Sequence, residues 1–104
     1  MNRNLLAALA AAPVAATLLA PAARADAEQD QRYIEMLDRD GVHWTTVEHA
    51  SAAGLAICDH LERGDSFGDV VIGVMLGNPA DTQAQASNAI TDARAVYCPD
   101  TPIH

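Results

Sequence analysis

The sequence contains no lysine and few aromatic residues, and its charge is strongly one-sided. Six arginines stand against 14 aspartates and glutamates, which gives a formal net charge of -8. Nucleic acids and anionic lipid surfaces are bound by clusters of lysine and arginine, whereas these arginines are scattered along the chain. The composition therefore predicts that the protein binds neither nucleic acid nor an anionic membrane surface.

Motifs that would indicate a cofactor or a metal are also missing. The sequence has no G-x-G-x-x-G and no phosphate-binding loop. The four histidines, His43, His49, His60 and His104, follow no metal-ligand spacing, and on one helix His49 and His60 would lie about 16 Å apart. We therefore predict no metal and no cofactor, histidines that are solvated at the surface, and a protein that is not an enzyme and has no catalytic residue.

Residues 1–25 differ from the rest of the chain because they contain no acidic side chain. They combine a positively charged start, an apolar stretch from Leu5 to Leu19, and an Ala23-Arg24-Ala25 ending of the kind that a signal peptidase cleaves. About 20 apolar residues are needed to span a bilayer, and this stretch is shorter. We therefore predict a signal peptide over residues 1–25, a secreted protein that begins at Asp26, and no stable membrane anchor after cleavage.

Residues 26–104 form a domain too small to rely on its core alone. They contain four of the arginines and all 14 acidic residues, which gives a net charge of -10. A domain of this size buries only about 60% of its unfolded surface. Cys58 and Cys98 are the only cysteines, and an even number outside the cytoplasm indicates a disulfide. We predict a Cys58–Cys98 bond, which in the chain-entropy account stabilises the fold by about 4 kcal/mol.

Capping residues and glycines divide this domain into four helical segments. The residues that begin and end the segments are, in chain order, Asp26 and Gly41, Thr45 with Glu48 and Gly64, Asp65 or Ser66 and Gly77, and Asp81 or Thr82 and Cys98. Apolar residues recur at steps of three or four in the second and fourth segments. The sequence therefore predicts an all-α, four-helix domain stapled by one disulfide.

The segment Val70–Leu76 is ambiguous, because a short run of β-branched residues is also typical of a buried strand. No other segment alternates at period two, and a lone strand would leave its backbone polar groups unpaired, so we predict a helix. A helix that is apolar all round must be central or must present one side to something outside the monomer. We expect the second and fourth helices to cover one side. The first helix and Trp44, a second copy of the chain, or an apolar ligand would cover the other, and of these we favour the first helix and Trp44.

The order of these features resembles a family of small secreted mycobacterial proteins known as domain of unknown function 732. The segments that carry the resemblance, within residues 32–99, are Tyr33-Ile34 with Leu37 and Gly41, Ala53-Gly54-Leu55-Ala56-Ile57-Cys58, the valine-rich helix, and Ala95-Val96-Tyr97-Cys98-Pro99. The resemblance implies a secreted, compact helical domain with its two cysteines joined. It implies no activity or ligand, so it contributes no site residue.

Two functions agree with these observations. The first is a non-enzymatic interaction module of the cell envelope or extracellular space, whose partner is a protein or an envelope component. The alternative is a small carrier for an apolar ligand such as a lipid, held beneath the Val70–Leu76 helix. In either case the expected contact surface consists of Trp44, Val70, Val74 and Met75. An enclosed apolar cavity of about 300 Å³ or more would favour the carrier, and a solid core with an exposed apolar patch would favour a protein partner.

Overall fold

The computed structural model describes residues 26–104. These residues form four α-helices and no strand. The helices are α1 (Ala27–Arg39), α2 (Val47–Glu62), α3 (Phe67–Gly77) and α4 (Gln83–Tyr97). The prediction of an all-α, four-helix domain is confirmed for this part of the chain. The predicted signal peptide lies outside the described residues. Within residues 26–104, no helix combines the length and the apolar character that crossing a bilayer requires.

Side-chain caps begin each helix, as the sequence indicated for three of the four. Asp26 Oδ1 accepts a hydrogen bond from the Gln29 backbone N–H at 2.7 Å, and Gln29 Oε1 accepts one from the Asp26 N–H at 3.2 Å. This reciprocal pair is a capping box. Ser66 caps α3, and Thr82 caps α4. At the other ends of α1 and α2, Gly41 and Gly64 have φ values of 70° and 88°, the left-handed region that favours glycine.

The predicted Thr45–Glu48 capping box at the start of α2 is wrong. The N-cap is Thr46, whose hydroxyl oxygen accepts a hydrogen bond from the His49 backbone N–H at 3.0 Å. Two adjacent threonines offer the same chemistry, so the sequence around the cap does not decide between them. The cap therefore lies one residue later than predicted.

The pair formed by α2 and α4 is the centre of the domain. Each of these helices contacts all three others, whereas α1 and α3 do not contact each other. Ala86 and Ala93 of α4 are fully buried, and their small side chains let neighbouring helix backbones approach closely. The predicted Cys58–Cys98 disulfide is confirmed, and it joins α2 to the residue that follows α4.

The helical interpretation of Val70–Leu76 is confirmed. The expectation that α1 covers the second side of this helix is wrong. Val70 and Val71 are buried, and α3 packs on α2 and α4 as expected. Ile72 and Leu76 remain 58% and 77% exposed, because α1 packs on the α2–α4 pair without reaching α3. A gap therefore separates α1 from α3.

A glycine lets two tyrosine rings meet at the junction of α1, α2 and α4. Tyr33 and Tyr97 form a T-shaped pair with ring centroids 5.2 Å apart. A Cβ on Gly54 would lie 2.9 Å from Tyr33 Cε2 and 2.7 Å from Tyr97 Cε2. Tyr33 Oη donates a hydrogen bond to the Ala89 carbonyl at 3.3 Å, and Tyr97 Oη donates one to Asp30 Oδ1 at 2.8 Å. Each ring is thus held by a hydrogen bond at its hydroxyl and by contact with the other ring. Burial raises the pKa of both hydroxyls.

Asp92 is a buried acid on the inner face of α4. It is 5% exposed, and its Oδ2 has no hydrogen-bond partner among the described residues. Burial, together with the neighbouring Asp40 carboxyl, raises the pKa of Asp92 to about 7. The folded protein therefore keeps this proton over a pH range in which the unfolded chain, with its ordinary value of 3.8, has lost it. This contribution to stability is present at low pH and is lost as the pH rises through about 7.

We expect Asp92→Asn to stabilise the domain at high pH and to change little at low pH. The amide has the shape of the protonated acid and carries no charge, so the free energy of unfolding should rise by about 1.5 kcal/mol at about pH 8. Urea unfolding at about pH 4 and pH 8 would measure the difference. Asp100→Asn, at an exposed carboxyl, is the control. An equal gain at both pH values would contradict the role of the buried charge.

Candidate ligand-binding cleft

The gap between α1 and α3 is a partly open cleft of about 580 Å³ with a mainly apolar surface. Ligand sites in proteins commonly have volumes of about 300 to 1,000 Å³. The lining residues come from all four helices and from the segments between them. They are Tyr33, Leu37, Val42, His43, Trp44, Thr45, His49, Ala50, Ala53, Ala56, Ile57, His60, Asp65, Asp69, Val70, Gly73, Val74, Gly77, Asn78, Asp81 and Ala89.

Small side chains account for the volume of the cleft. On α2, the side that faces the cleft includes His49, Ala53, Ala56 and His60, which recur at steps of four, three and four and so share one face. Two of these four are alanines. On the opposite wall, a Cβ added to Gly73 would meet no atom within 4 Å. These small residues leave part of the space between α1 and α3 unfilled, although larger side chains such as Tyr33 and Trp44 also line it.

The structure brings three of the four predicted contact residues to this cleft. Trp44, Val70 and Val74 line it. Trp44 is half-buried against the core, and its Nε1–H donates a hydrogen bond to Asp38 Oδ1 at 2.7 Å. Met75 packs against the core but does not line the cleft. The space beneath the Val70–Leu76 helix and beside Trp44 is thus present in the fold.

A hydrogen-bonded network closes one end of the cleft. Asp81, only 4% exposed, accepts hydrogen bonds at Oδ1 from the His43 backbone N–H at 2.9 Å and from His43 Nδ1 at 2.8 Å. Asn78 Nδ2 donates to Asp81 Oδ2 at 2.7 Å and to the His43 carbonyl at 2.8 Å. The His43 ring is 58% exposed. The network therefore holds an accessible imidazole at the edge of an apolar cleft.

A second polar cluster lies at the end of α2. His60 Nδ1 is 2.7 Å from Asp65 Oδ2, and Arg63 Nη2 is 3.5 Å from the same oxygen. The hydrogen bond from His60 is the main cause that lowers the pKa of Asp65, and Arg63 lowers it further. The positive charge of Arg63 and the negative charge of Asp65 balance each other in this cluster.

His43, His49 and His60 are all exposed, which agrees with the prediction that the histidines are solvated at the surface. All three also line the cleft, and no signal in the sequence indicated this, although the spacing placed His49 and His60 on one face of α2. In the part of the chain that the structure describes, no three His, Cys, Asp or Glu side chains are grouped so that they could hold a metal ion.

Ser66 stands in a G-x-S-x-G pattern, Gly64-Asp65-Ser66-Phe67-Gly68, which the expectation of no catalytic residue did not take into account. In α/β-hydrolases this pattern places a nucleophile between a strand and a helix. Here a helix precedes the turn, and Ser66 Oγ accepts a hydrogen bond from the Asp69 N–H at 3.1 Å. No histidine bonds to Ser66 in residues 26–104, although His60 bonds to its neighbour Asp65. Ser66 therefore acts as the cap of α3.

The sequence model of a family described as protein of unknown function (DUF732) matches residues 29–100. The chain belongs to the DUF732 family. No curated protein and no solved structure matches the chain. The DUF732 segment includes both cysteines and every residue that lines the cleft. The cleft is thus a feature of the DUF732 domain itself rather than of the residues outside it.

Proposed function

We propose that this DUF732 domain is an exported, non-enzymatic binding protein that holds an apolar small molecule in the cleft between α1 and α3. The observation that carries the proposal is the volume of about 580 Å³, which lies within the range of about 300 to 1,000 Å³ of small-molecule sites, although the cleft is partly open and not an enclosed cavity. Apolar atoms dominate its surface, and burying an apolar ligand there would release about 25 cal/mol for each Å² removed from water.

The groups around the cleft support binding rather than catalysis. The His43–Asp81 pair has the arrangement of a base and its orienting carboxylate. In nucleophilic catalysis such a pair acts on a serine, cysteine or threonine side chain within hydrogen-bond reach. Among residues 26–104, Thr45 is the one such side chain that lines the cleft, it has no hydrogen bond to His43, and both cysteines are joined in the disulfide. We therefore assign the imidazole a role in recognising a ligand.

Export is supported by two independent features. Residues 1–25 carry the pattern of a cleaved signal peptide, and the Cys58–Cys98 disulfide suits an oxidising compartment. The intact mass of protein recovered from the culture medium would test this part of the proposal. A chain that begins at Asp26 is expected, and a recovered chain that still carries Met1 would contradict cleavage.

Gly73→Leu is expected to abolish binding without unfolding the domain. The new side chain would enter the cleft from α3, where it meets open space, and leucine favours a helix over glycine by about 1 kcal/mol. With diphenylhexatriene, a fluorescent hydrocarbon that has no hydrogen-bonding group, as the apolar probe, we expect the dissociation constant to rise at least about tenfold, a change of roughly 1.4 kcal/mol.

Gly68→Leu is the matched control for this experiment. Gly68 is also in α3 and also has open space around it, but it does not line the cleft. This variant should bind the probe as the unmodified domain does. Equal affinity in the two leucine variants, or no probe binding by the unmodified domain, would contradict a ligand site in the cleft.

A protein partner is the second candidate function, and one observation favours it. Ile72 and Leu76 lie one helical turn apart on α3 and are both largely exposed. Exposed apolar residues that cluster in this way mark interaction sites in soluble proteins. Ile72→Ser with Leu76→Ser would remove such a surface and leave the cleft intact. Unchanged probe binding by this double variant would place the probe in the cleft, whereas lost binding would place it on the exposed surface of α3.

A further inference from the structure

The hydrogen bonds of His43 fix which of its ring nitrogens can meet a ligand. Asp81 Oδ1 lies 2.8 Å from Nδ1, and a carboxylate oxygen can only accept. Nδ1 therefore carries the proton, and in the neutral ring Nε2 is left as an acceptor. Nε2 has no hydrogen-bond partner in residues 26–104. His43 lines the cleft, so this free acceptor is available to the polar end of a ligand there.

The charged side chains that line the cleft all have one sign. They are Asp65, Asp69 and Asp81, and no arginine of residues 26–104 lines the cleft. Arg63, next to the cleft, is engaged with Asp65. Carboxylates and phosphates are bound in proteins by guanidinium or ammonium groups, which this cleft lacks. An anionic head group would meet like charge here and would find no strong donor.

We infer that the cleft selects an amphiphile whose polar end donates a hydrogen bond and carries no negative charge, that is, an amine or an alcohol, with His43 Nε2 as the acceptor. This inference rests on the proposed function and names its ligand class. The apolar chain occupies the space between α1 and α3, and the head group lies at the His43–Asp81–Asn78 end. A cationic amine gains in addition from the aspartates at the edge of the cleft.

Three compounds with the same apolar chain test this inference: decanol, decylamine and decanoate. Each is titrated against bound diphenylhexatriene at about pH 8, where decanoate is ionised, and at about 0.15 M salt, which screens distant charges. We expect decanol and decylamine to displace the probe at concentrations at least about tenfold lower than decanoate. Decanol is the decisive compound, because it has no charge that the acidic protein could attract non-specifically.

The variant His43→Asn tests the assigned acceptor. Its Nδ2 can replace His43 Nδ1 as the donor to Asp81, whereas nothing replaces Nε2. We expect decanol to lose about fivefold in affinity in this variant while the apolar probe binds as before. The control is His104→Asn, at an exposed histidine that does not line the cleft, and it should leave decanol binding unchanged.

The outcomes separate this inference from the function on which it rests. Equal affinity for the three compounds, or a preference for decanoate, would overturn the head-group selection and leave the apolar site standing. Unchanged decanol binding in His43→Asn would overturn the role of Nε2. If neither the probe nor any of the three compounds binds, both the proposed function and the inference are wrong. If His43→Asn fails to fold, the comparison of decanol with decanoate on the unmodified domain still tests whether the cleft selects an uncharged, donating head group.

Discussion

Loss of the Cys58–Cys98 bond is expected to lower the free energy of unfolding by about 4 kcal/mol. The bond closes a separation of 40 residues, and without it the unfolded chain regains the conformations that the closed loop excludes. A small domain has only about 5 to 15 kcal/mol of net stability. The double variant Cys58→Ala/Cys98→Ala should therefore be close to unfolded at physiological temperature.

Urea unfolding of the oxidised protein, the reduced protein and the double variant would measure this loss. Both cysteine side chains are buried, at 5% and 6% exposure, so replacing them with alanine also removes packing. The reduced protein keeps the sulfur atoms and lacks only the bond, which isolates the effect of the cross-link. Identical urea midpoints for the oxidised and reduced forms would show that the bond contributes nothing to stability.

Gly54→Ala is expected to destabilise the domain by about 2 to 3 kcal/mol, although alanine is a better helix former. The added Cβ would lie less than 3 Å from the rings of both Tyr33 and Tyr97. Neither ring can easily move, because each is held by its own hydrogen bond at the hydroxyl. The contact between α1, α2 and α4 would have to open to admit one methyl group.

Gly68→Ala is the control for this prediction. A Cβ at Gly68 meets no atom within 4 Å, so this variant should gain up to about 1 kcal/mol from helix propensity alone. Thermal unfolding followed by circular dichroism would compare the two. A melting temperature for Gly54→Ala at or above that of the unmodified protein would show that the tyrosine pair adapts and that the close approach is not required.

Local features of the fold could be predicted from the sequence because their causes are local. The Asp26 cap, the left-handed glycines and the disulfide each depend on a few residues or on a unique pair. The error at Thr45 arose where two neighbouring threonines have the same capping chemistry. The strand-or-helix ambiguity of Val70–Leu76 was decided correctly, because no second strand was available to pair with it.

The arrangement of the cleft could be predicted only in part. The space beside Trp44 was anticipated. The expectation that α1 covers α3 was wrong, because whether two helices touch depends on the size of the side chains that lie between them. Small residues of α2 and α3 leave a gap there. The His43–Asp81 bond joins residues 38 positions apart. The sequence offered both Asp81 and Thr82 as caps of α4, and because Thr82 takes that role, Asp81 is left to hold His43.

The disulfide has a topological consequence for the two helices that face each other across the cleft. It turns residues 58–98 into a covalent ring that contains all of α3 and α4, while α1 lies outside the ring and is attached to it at one end only. Lifting α1 away breaks only non-covalent contacts and leaves the ring intact. Moving α3 by the same distance would require the ring to deform. Of the two helices that face each other across the cleft, α3 alone is therefore held in place by a covalent closure.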